Sequence, residues 1–350
     1  MPAPRTPSLA QFTALSRPPE RYRGMVDGFP QWPPLAEPAP PTGGDLITGA
    51  IDWLTAHLEW LDPVRWEQFL APRVFPASTV LEVLTLCRSL RRGPRAEQAT
   101  TLIESSLEVA DRLVTSPAFL AGLYRADGLF TYRVWLLALV DELGLDVLGL
   151  DVARRLRDVV QGLLDAGCPA VTNLGRPGHA LVELGYVLEL GGYRHPLPAL
   201  PALIGPSLPV PGTAPLYLTD DQCYVLTHLV FYLTDFADRP AGVGLTGVAD
   251  AVTALLGVYL AKDDLDLSAE LLLCALALDR QGDELVAHGW RRLSGAQRRD
   301  GAVPGPLHDP AVLARLRGAK AAAYLFGTCY HTTVVAALAA TERERLDDCS

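Results

Sequence analysis

The sequence predicts an all-α protein, an (α/α)6 toroid in which inner helices are surrounded by outer helices, with an extended Pro-rich N-terminal arm. From Asp45 onward, apolar residues recur at steps of three and four, as in Ile47, Ile51, Leu54 and Leu58, and β-type alternation is scarce. Strongly apolar helices recur about every 45 to 50 residues, which is typical of repeated helical hairpins. Because such helices need neighbours on all sides, closing the hairpins into a double ring would bury them.

The N-terminal arm is predicted over residues 1–44. Prolines and glycines, from Arg17-Pro18-Pro19 to Gly43-Gly44, interrupt every periodicity there. The arm could cross to a neighbouring subunit, so a homodimer is one expectation. Residues 45–350 are predicted to form a single toroid domain that carries the catalytic residues.

The helices of this domain fall into two alternating classes. Residues 196–215 are rich in proline and glycine and leave room for at most a short outer helix. The last step between inner helices is longer because of the insertion from Gly301 to Pro310. The strongly apolar inner helices are predicted at residues 78–91, 129–143, 178–190, 221–236, 266–279 and 329–341. The amphipathic outer helices are predicted at residues 45–60, 97–115, 149–166, 245–261 and 283–298.

Composition excludes several classes of function. The chain has 350 residues, of which 49% are hydrophobic and 20% charged, so it can bury a sizeable core. A net charge of -10 without a basic run longer than two residues predicts no nucleic-acid partner. Apolar runs such as Val252–Ala261 are about half of the roughly 20 residues that span a bilayer, so we expect no membrane span. The first residues also lack the apolar segment of a secretory signal, which favours a cytoplasmic location.

Cysteine spacing and motif content narrow the chemistry further. The six cysteines are scattered and form no C-x-x-C pair, so reduced thiols are expected. No Gly-rich phosphate loop, G-x-S-x-G elbow, H-E-x-x-H motif or dinucleotide fingerprint occurs. Kinase, α/β-hydrolase, zincin and dehydrogenase functions are therefore disfavoured.

A stripe of polar side chains follows the helix that begins after Thr219. Thr219 and Gln222 have the spacing of a capping box, which fixes where this helix starts. The stripe has apolar flanks, and polar groups between two buried faces need partners. It either faces a central cavity, where His228 would be a ligand or a general acid/base, or holds a buried histidine bonded for packing. The predicted catalytic residues here are Asp221, Tyr224, His228 and Asp235, and Tyr232 is predicted to bind substrate.

A second polar stripe lies on the helix that follows Gly178. His179, Glu183 and Tyr186 are separated by steps of four and three, so they share one face. We predict that they bind substrate from the opposite side of the same cavity. A buried Glu-Tyr hydrogen bond is an equally ordinary explanation of this spacing.

Two segments near the C-terminus resemble a known superfamily. Trp290 to Gly305 contains Gln297-Arg298-Arg299-Asp300-Gly301, which resembles the Gln-x-x-Asp-Gly element at the ends of outer helices in terpenoid cyclase and protein prenyltransferase α/α toroids. Tyr330-His331-Thr332-Thr333 is similar to the Tyr-His-Thr segment of protein prenyltransferase β subunits, whose histidine binds zinc. The other zinc ligands of that family are an Asp and a Cys two residues later, and Asp264 and Asp266 stand at the matching positions. The resemblance covers the last 130 residues best and implies a toroid fold with a zinc site.

The predicted metal ligands are Asp264, Asp266 and His331. Three protein ligands with a fourth position left for water or substrate are typical of a catalytic zinc site. Oxygen-rich ligation would also permit another divalent metal, such as manganese, iron or magnesium. Glu270, one turn beyond Asp266, is predicted to be catalytic. A structural explanation also exists, because acidic residues at a helix start cap the backbone and interact with its dipole.

The function predicted from these residues is a metal-dependent enzyme, with zinc as the expected cofactor. It would be a cyclase, lyase or transferase acting on a hydrophobic or peptide-like small molecule in bacterial-type specialised metabolite biosynthesis. A non-catalytic helical binding or scaffold protein is one alternative. A metal-free cyclase of the terpenoid type, with Asp264 or Asp266 as the proton donor, is another.

Overall fold

The chain is described here by a computed structural model that covers residues 45–144, 150–173, 176–207, 215–245 and 247–348. These residues form helices joined by loops and turns, and no β-strand occurs among them. The all-α class predicted from the sequence is therefore confirmed. The predicted arm over residues 1–44 lies outside the described residues.

The apolar inner helices occur where the periodicity places them. Each contacts the next along the chain, and the last contacts the first, so that their contacts form a closed cycle. They are α3 (Ser78–Arg92), α6 (Phe130–Leu143), α9 (Gly178–Leu190), α11 (Asp220–Thr234), α13 (Leu265–Ala277) and α16 (Gly318–Asp348).

The amphipathic outer helices lie between them in the chain. For example, α4 packs on α3 and α6, α14 packs on α13, and α1 packs on α16. These helices are α1 (Leu46–Ala56), α4 (Thr100–Val114), α7 (Leu150–Asp165), α10 (Leu200–Ser207), α12 (Ala249–Ala261) and α14 (Glu284–Ala296). The brevity of α10 agrees with the proline and glycine content of its segment.

Several short helices had no counterpart in the sequence prediction. Four of them begin with proline at their first position, where its fixed φ and missing N–H cost nothing. These are α2 (Pro63–Glu67), α5 (Pro117–Arg125), α8 (Pro169–Thr172) and α15 (Pro310–Arg315). Three 3₁₀ helices, at Leu58–Leu61, Pro215–Tyr217 and Val243–Leu245, complete the described elements.

The last inner helix is longer than predicted. It begins at Gly318, so His331 lies inside it rather than at its start, and the expected helix over residues 329–341 was wrong in its first boundary. No residue stops the helix before His331. The hydroxyl of Thr328 donates to the carbonyl of Tyr324 at 2.7 Å, one turn back, instead of capping a new helix.

The helix α16 is also the one described helix that is long and apolar enough to cross a membrane by length and composition. In its most apolar window 61% is buried inside the protein. A core helix passes the same test, so this is weak evidence for a span. The expectation that no segment spans a membrane stays a prediction.

The Gln-x-x-Asp-Gly element joins the end of α14 to the start of α1. The Gln297 side chain donates to the carbonyl oxygens of Leu46 and Gly301, at 2.9 Å each. Gly301 has a φ of +95°, and a Cβ there would collide with the carbonyl of Gly49. The element therefore needs glycine at this position, and it holds the start of α1 beside the end of α14.

Candidate metal centre

The start of α13 sets the positions of two buried carboxylates. Asp264 is the N-cap, and its Oδ1 accepts from the backbone N–H groups of Asp266 at 3.1 Å and Leu267 at 3.2 Å. Asp266 then falls in the first turn and Glu270 one turn later, on the same face. Both side chains are buried and point toward α16.

His331 of α16 completes a cluster with these two carboxylates. One nitrogen or oxygen from each of Asp266, Glu270 and His331 can be chosen such that all three lie within 4.8 Å of one another. His331 Nε2 is 3.6 Å from Asp266 Oδ2 and 3.7 Å from Glu270 Oε1. Among the described residues, this is the group of acidic, histidine or cysteine side chains with the geometry of a metal site.

A second set of side chains orients the two carboxylates. Asp266 accepts hydrogen bonds from the Tyr224 hydroxyl at 2.7 Å and from the Thr332 hydroxyl at 2.6 Å. Glu270 accepts a hydrogen bond from the Thr227 hydroxyl through Oε2, which leaves Oε1 facing the imidazoles. Both carboxylates are therefore held by donors on α11 and α16.

Glu82 of α3 orients the imidazole of His331. His331 Nδ1 lies 3.1 Å from Glu82 Oε2. An ionised carboxylate only accepts hydrogen bonds, so the Nδ1 proton is held on that side and Nε2 faces Asp266 and Glu270. A histidine ligand whose other nitrogen donates to a carboxylate is the usual arrangement at protein metal sites.

The charges in the cluster shift one another strongly. Burial acts to raise the pKa of Glu270, but His228 and His331 outweigh it and lower that pKa to about 2. Burial acts to lower the pKa of His331, and the neighbouring carboxylates of Asp266, Glu270 and Glu82 raise it well above its ordinary value. His228, whose Nε2 is 3.6 Å from Glu270 Oε1, has a raised pKa because Glu270 outweighs its burial. Without a metal, the two imidazoles therefore offset two of the three carboxylate charges, and Arg73 lies 3.4 Å from the third carboxylate, Glu82.

The cluster forms part of the wall of a cavity of about 570 Å³. Residues of all six inner helices line this cavity, as does the segment that precedes α3. Below the histidines, the lining is aromatic and aliphatic, with Trp135 packed edge-on against Tyr232 at a centroid distance of 5.7 Å. The apolar and aromatic lining residues are Val74, Phe75, Leu81, Tyr132, Trp135, Phe231, Tyr232, Phe236, Val334, Val335 and Leu338.

The cavity has a polar open end and an apolar closed end. Near the cluster, Val74 is 86% exposed, and the side chains of His228 and His331 are 44% and 36% exposed. Farther along α16, Leu338 lines the cavity but is only 5% exposed. We call Glu82, His228, Asp266, Glu270 and His331 the mouth cluster.

Beyond the apolar part lies a second charged group, which we call the floor cluster: Arg88, Glu142, Tyr186 and Asp235. Arg88 donates to both oxygens of Asp235, at 2.6 and 2.9 Å, and its Nε donates to Glu142 at 2.7 Å. The Tyr186 hydroxyl donates to Asp235 at 2.8 Å. Arg88 and Asp235 follow the lining residues Thr85 and Tyr232 by three residues on their helices, and both are buried. The floor cluster therefore closes this end of the cavity.

The donor atoms fit a divalent metal ion. Nitrogen and carboxylate ligands of zinc lie about 2.0–2.2 Å from the ion, so two ligand atoms are at most about 4.4 Å apart. The separations from His331 Nε2, 3.6 and 3.7 Å, meet that limit, while all three ligand atoms lie within 4.8 Å of one another, so the carboxylates would close slightly on a bound ion. The donor set of one nitrogen and two oxygens suits zinc and also harder divalent ions.

Five predicted site residues lie at the mouth cluster or in the cavity wall in addition to Asp266 and His331. Glu270 belongs to the candidate metal cluster rather than only standing beside it. His228, Glu183 and Tyr232 line the cavity, and the Tyr232 hydroxyl donates to Glu183 at 2.9 Å. Burial raises the pKa of Glu183 despite this hydrogen bond. Tyr224 acts through its hydrogen bond to Asp266.

The remaining predicted residues lie elsewhere. Asp264 is committed to capping α13, so Glu270 takes its place in the ligand set. Asp221 and His179 are exposed near the starts of α11 and α9 and do not line the cavity. Asp235 and Tyr186 belong to the floor cluster, where the Tyr186 hydroxyl donates to Asp235. Asp235 is the C-cap of α11 and has a left-handed backbone, with a φ of 48°.

Sequence reasoning missed Glu82, Thr227 and Thr332. Thr227 immediately precedes His228, and Thr332 immediately follows His331. That adjacency to a predicted site histidine is the signal that could have found them. Glu82 carried a weaker signal as an acidic residue within a strongly apolar helix. Arg73, whose guanidinium lies 3.4 Å from Glu82 and contacts the Tyr330 hydroxyl, precedes the helix and had no such signal.

Comparison with known proteins gives a family without an assigned activity. A family model described as Domain of unknown function (DUF6895) matches residues 47–341. No curated protein and no solved structure matches the chain significantly. The inner helices, the mouth cluster and the floor cluster all lie within the matched residues, apart from the last residues of α16.

Proposed function

The chain belongs to the DUF6895 family, since the match covers more than half of its length, and we propose that it is a metal-dependent enzyme built on an (α/α)6 toroid. The observation that carries this proposal is the convergence of Asp266, Glu270 and His331 at the open end of a cavity of about 570 Å³. The substrate class is a hydrophobic or peptide-like small molecule, and the enzyme is a cyclase, a lyase or a transferase.

The toroid is supported by the order of helix contacts. The six inner helices contact one another in a closed cycle, and all of them line one cavity. Outer helices such as α4 and α14 pack against inner helices on the other side. A double ring accounts for both observations, whereas an open solenoid would leave its end helices without a partner.

Zinc is the favoured ion, with another divalent metal as the alternative. Asp266, Glu270 and His331 would hold it and leave a position for water or substrate. When bound, such an ion polarises a carbonyl or phosphoryl oxygen or lowers the pKa of a water or thiol. This three-ligand arrangement is typical of catalytic rather than structural sites.

The protein side chains supply orientation and proton transfer around that position. Glu82 fixes the imidazole of His331, while Tyr224, Thr332 and Thr227 fix the two carboxylates. His228 faces both Glu270 and the cavity, so it can accept or donate a proton at Nε2. The apolar lining excludes water from the rest of the bound molecule, which strengthens the electrostatic interactions at the polar end.

The experiment that tests this proposal is metal analysis of protein purified without an affinity tag. We expect the wild-type chain to contain one divalent ion and His331→Ala to lose it. His179→Ala is the matched control, because it removes an exposed histidine that does not line the cavity. A wild-type protein that binds neither zinc nor manganese, or a His331→Ala variant that retains the metal, contradicts the proposal.

A metal-free enzyme is the second candidate, and one observation favours it. The protonated imidazoles of His228 and His331, together with Arg73, match the three carboxylates of the mouth cluster in charge without an ion. Such a cluster could transfer protons to a bound substrate directly. Under this alternative, chelators leave activity unchanged while Asp266→Asn abolishes it. If neither chelation nor Asp266→Asn affects the biosynthetic output of cells, a non-catalytic binding or scaffold role is favoured.

A further inference from the structure

The cavity changes character along its length, and this change limits what can occupy it. At the mouth, five ionisable side chains face one another within hydrogen-bonding or ion-pair distances, and all of them except Asp266 line the cavity, as does Arg73. One to two helical turns farther in, α11 and α16 contribute Phe231, Val334 and Leu338. Apart from Glu183, which accepts a hydrogen bond from the Tyr232 hydroxyl, the lining changes from charged to apolar within about two turns.

The apolar part is closed at its far end. Thr85 of α3 lines the cavity, and the next turn of the same helix carries Arg88, buried in its ion pair with Asp235. Leu338 of α16 lines the cavity, and one turn later Glu342 is buried against Ser89 and Arg345. Among the described residues, buried, hydrogen-bonded charges therefore lie under the apolar lining, so the mouth is the open way in for a ligand.

We propose that the substrate is an amphiphile that enters tail first, with an apolar chain in the closed part and its polar, reacting end at the mouth cluster. Seven residues of α16 separate His331 from Leu338, which corresponds to a depth of about 10 Å at 1.5 Å per residue. A flexible alkyl-like chain of about that length fills this part of the cavity. Its polar end stays within reach of a second reactant from solution.

This inference rests on the proposed function for which end of the molecule reacts, but the apolar site can be measured independently of any metal. The lining below the histidines contains aromatic rings and branched aliphatic side chains, which favour burial of hydrocarbon over a second polar group. A molecule that is polar at both ends would desolvate one end against a lining whose acidic group, Glu183, already accepts from the Tyr232 hydroxyl.

The test is calorimetric binding of a neutral alcohol series, from hexanol through octanol and decanol to dodecanol. We expect affinity to rise by up to about fourfold for each methylene buried, and then to stop rising once the chain reaches the closed end. Leu338→Phe places a larger side chain at that end, so the rise should stop at a shorter alcohol. Val335→Phe, another cavity-lining change, should weaken every long alcohol if Leu338→Phe proves unstable.

The matched control is Leu307→Phe, which enlarges a leucine that is 80% exposed and does not line the cavity. It should leave the alcohol series unchanged. Affinity that does not depend on chain length, or a length limit that neither cavity variant shifts, overturns the inference. Absence of a bound metal together with a normal alcohol series instead rejects the metal-dependent function while supporting the apolar tail site.

The polar end is tested with the zinc-loaded protein and octanohydroxamate, whose head group chelates metals. It should bind more tightly than octanol to the wild type, and His331→Ala should remove that difference between the two probes. Equal affinities of the two probes for zinc-loaded wild type overturn the placement of the polar end at the mouth.

Discussion

The mouth cluster and the floor cluster are both groups of buried or half-buried charges at opposite ends of one cavity, yet they are built differently. In the floor cluster, Arg88 and Asp235 form a two-pronged ion pair, and Tyr186 occupies a further lone pair of Asp235. In the mouth cluster, three carboxylates and two imidazoles face one another at 3.1 to 3.7 Å. The floor pairs its charges with one another, whereas the mouth presents several charged groups to the cavity.

The difference separates stability from function. Removing one partner of a buried, hydrogen-bonded ion pair lowers the free energy of unfolding strongly, because it leaves a buried charge uncompensated. Converging carboxylates in a cavity wall repel one another, and a bound metal ion or a proton relieves that repulsion. We therefore expect changes at the floor to affect folding and changes at the mouth to affect binding.

The largest expected effect is the loss of Arg88. Arg88→Ala leaves the buried Asp235 with only Tyr186 and the longer contact to Arg92 at 3.7 Å, so the free energy of unfolding should fall by about 3–5 kcal/mol. Urea denaturation monitored by circular dichroism measures it. The matched control is Arg194→Ala, since the ion pair of Arg194 with Asp165 is exposed and should change stability by less than about 1 kcal/mol. Similar losses in the two variants would show that the floor pair is not a stabilising element.

The next effect concerns the mouth and tests whether Glu82 acts through His331. Glu82→Gln keeps a side chain of the same size but lets an amide replace the carboxylate beside His331 Nδ1. Loss of such an orienting carboxylate typically lowers metal affinity about 10–100-fold. Competition with a fluorescent zinc chelator measures this. Glu97→Gln, a change of an exposed glutamate on the loop before α4, is the control. Unchanged zinc affinity in Glu82→Gln would mean that Glu82 does not position His331.

A third, smaller effect is the acid sensitivity of the floor. Burial acts to raise the pKa of Asp235, but hydrogen bonds and charge from Arg88 outweigh it and lower that pKa below its ordinary value. The folded pKa is depressed, so the stabilisation is complete above the unfolded value near about 3.9 and is lost as pH falls through the folded pKa. Protonated Asp235 can still accept from Tyr186, so less is lost than in Arg88→Ala.

The measurement is the free energy of unfolding of wild type and Asp235→Asn between neutral pH and strong acid. The difference between the two should be constant near neutral pH and should shrink in acid, because protonation of Asp235 makes the wild type resemble the variant. A difference that is the same at every pH would place the origin of the stabilisation outside the Asp235 carboxylate.

Most inner and outer helices could be predicted from the sequence to within a few residues, but the start of α16 at Gly318 and the full ligand set could not. The start of α11 was predictable because the Thr219 and Gln222 capping box is local, and the structure contains both of its hydrogen bonds. The structural explanation of this cluster had Asp266 as the N-cap, but the cap is Asp264. Only the backbone decides it: Asp264 has extended ψ, and Asp266 is already helical. That shift moves Asp264 out of the cluster and brings Glu270 in.

Partners that are distant in the chain were also beyond reach. Glu82 and His331 are separated by 249 residues, and no periodicity within either helix indicates that they meet. Their contact arises because α16 packs against α3 and completes the cycle of inner helices. Similarly, Asp235 and His228 share a polar stripe, but two turns of α11 carry one to the floor and leave the other at the mouth.

The smallest expected effect uses the helix that serves both clusters. Thr219→Ala removes the side-chain cap of α11 and should lower the free energy of unfolding by about 0.5–2 kcal/mol. The variant keeps His228 beside Glu270 and Asp235 beside Arg88. Its zinc affinity, measured where the protein is fully folded, should therefore stay within about twofold of wild type. Thr100→Ala is the control, because that exposed hydroxyl only donates back to helix-start carbonyls. A large loss of zinc affinity in Thr219→Ala would mean that the mouth depends on the register of α11 more closely than the floor does, and the separation of folding from binding would fail at this helix.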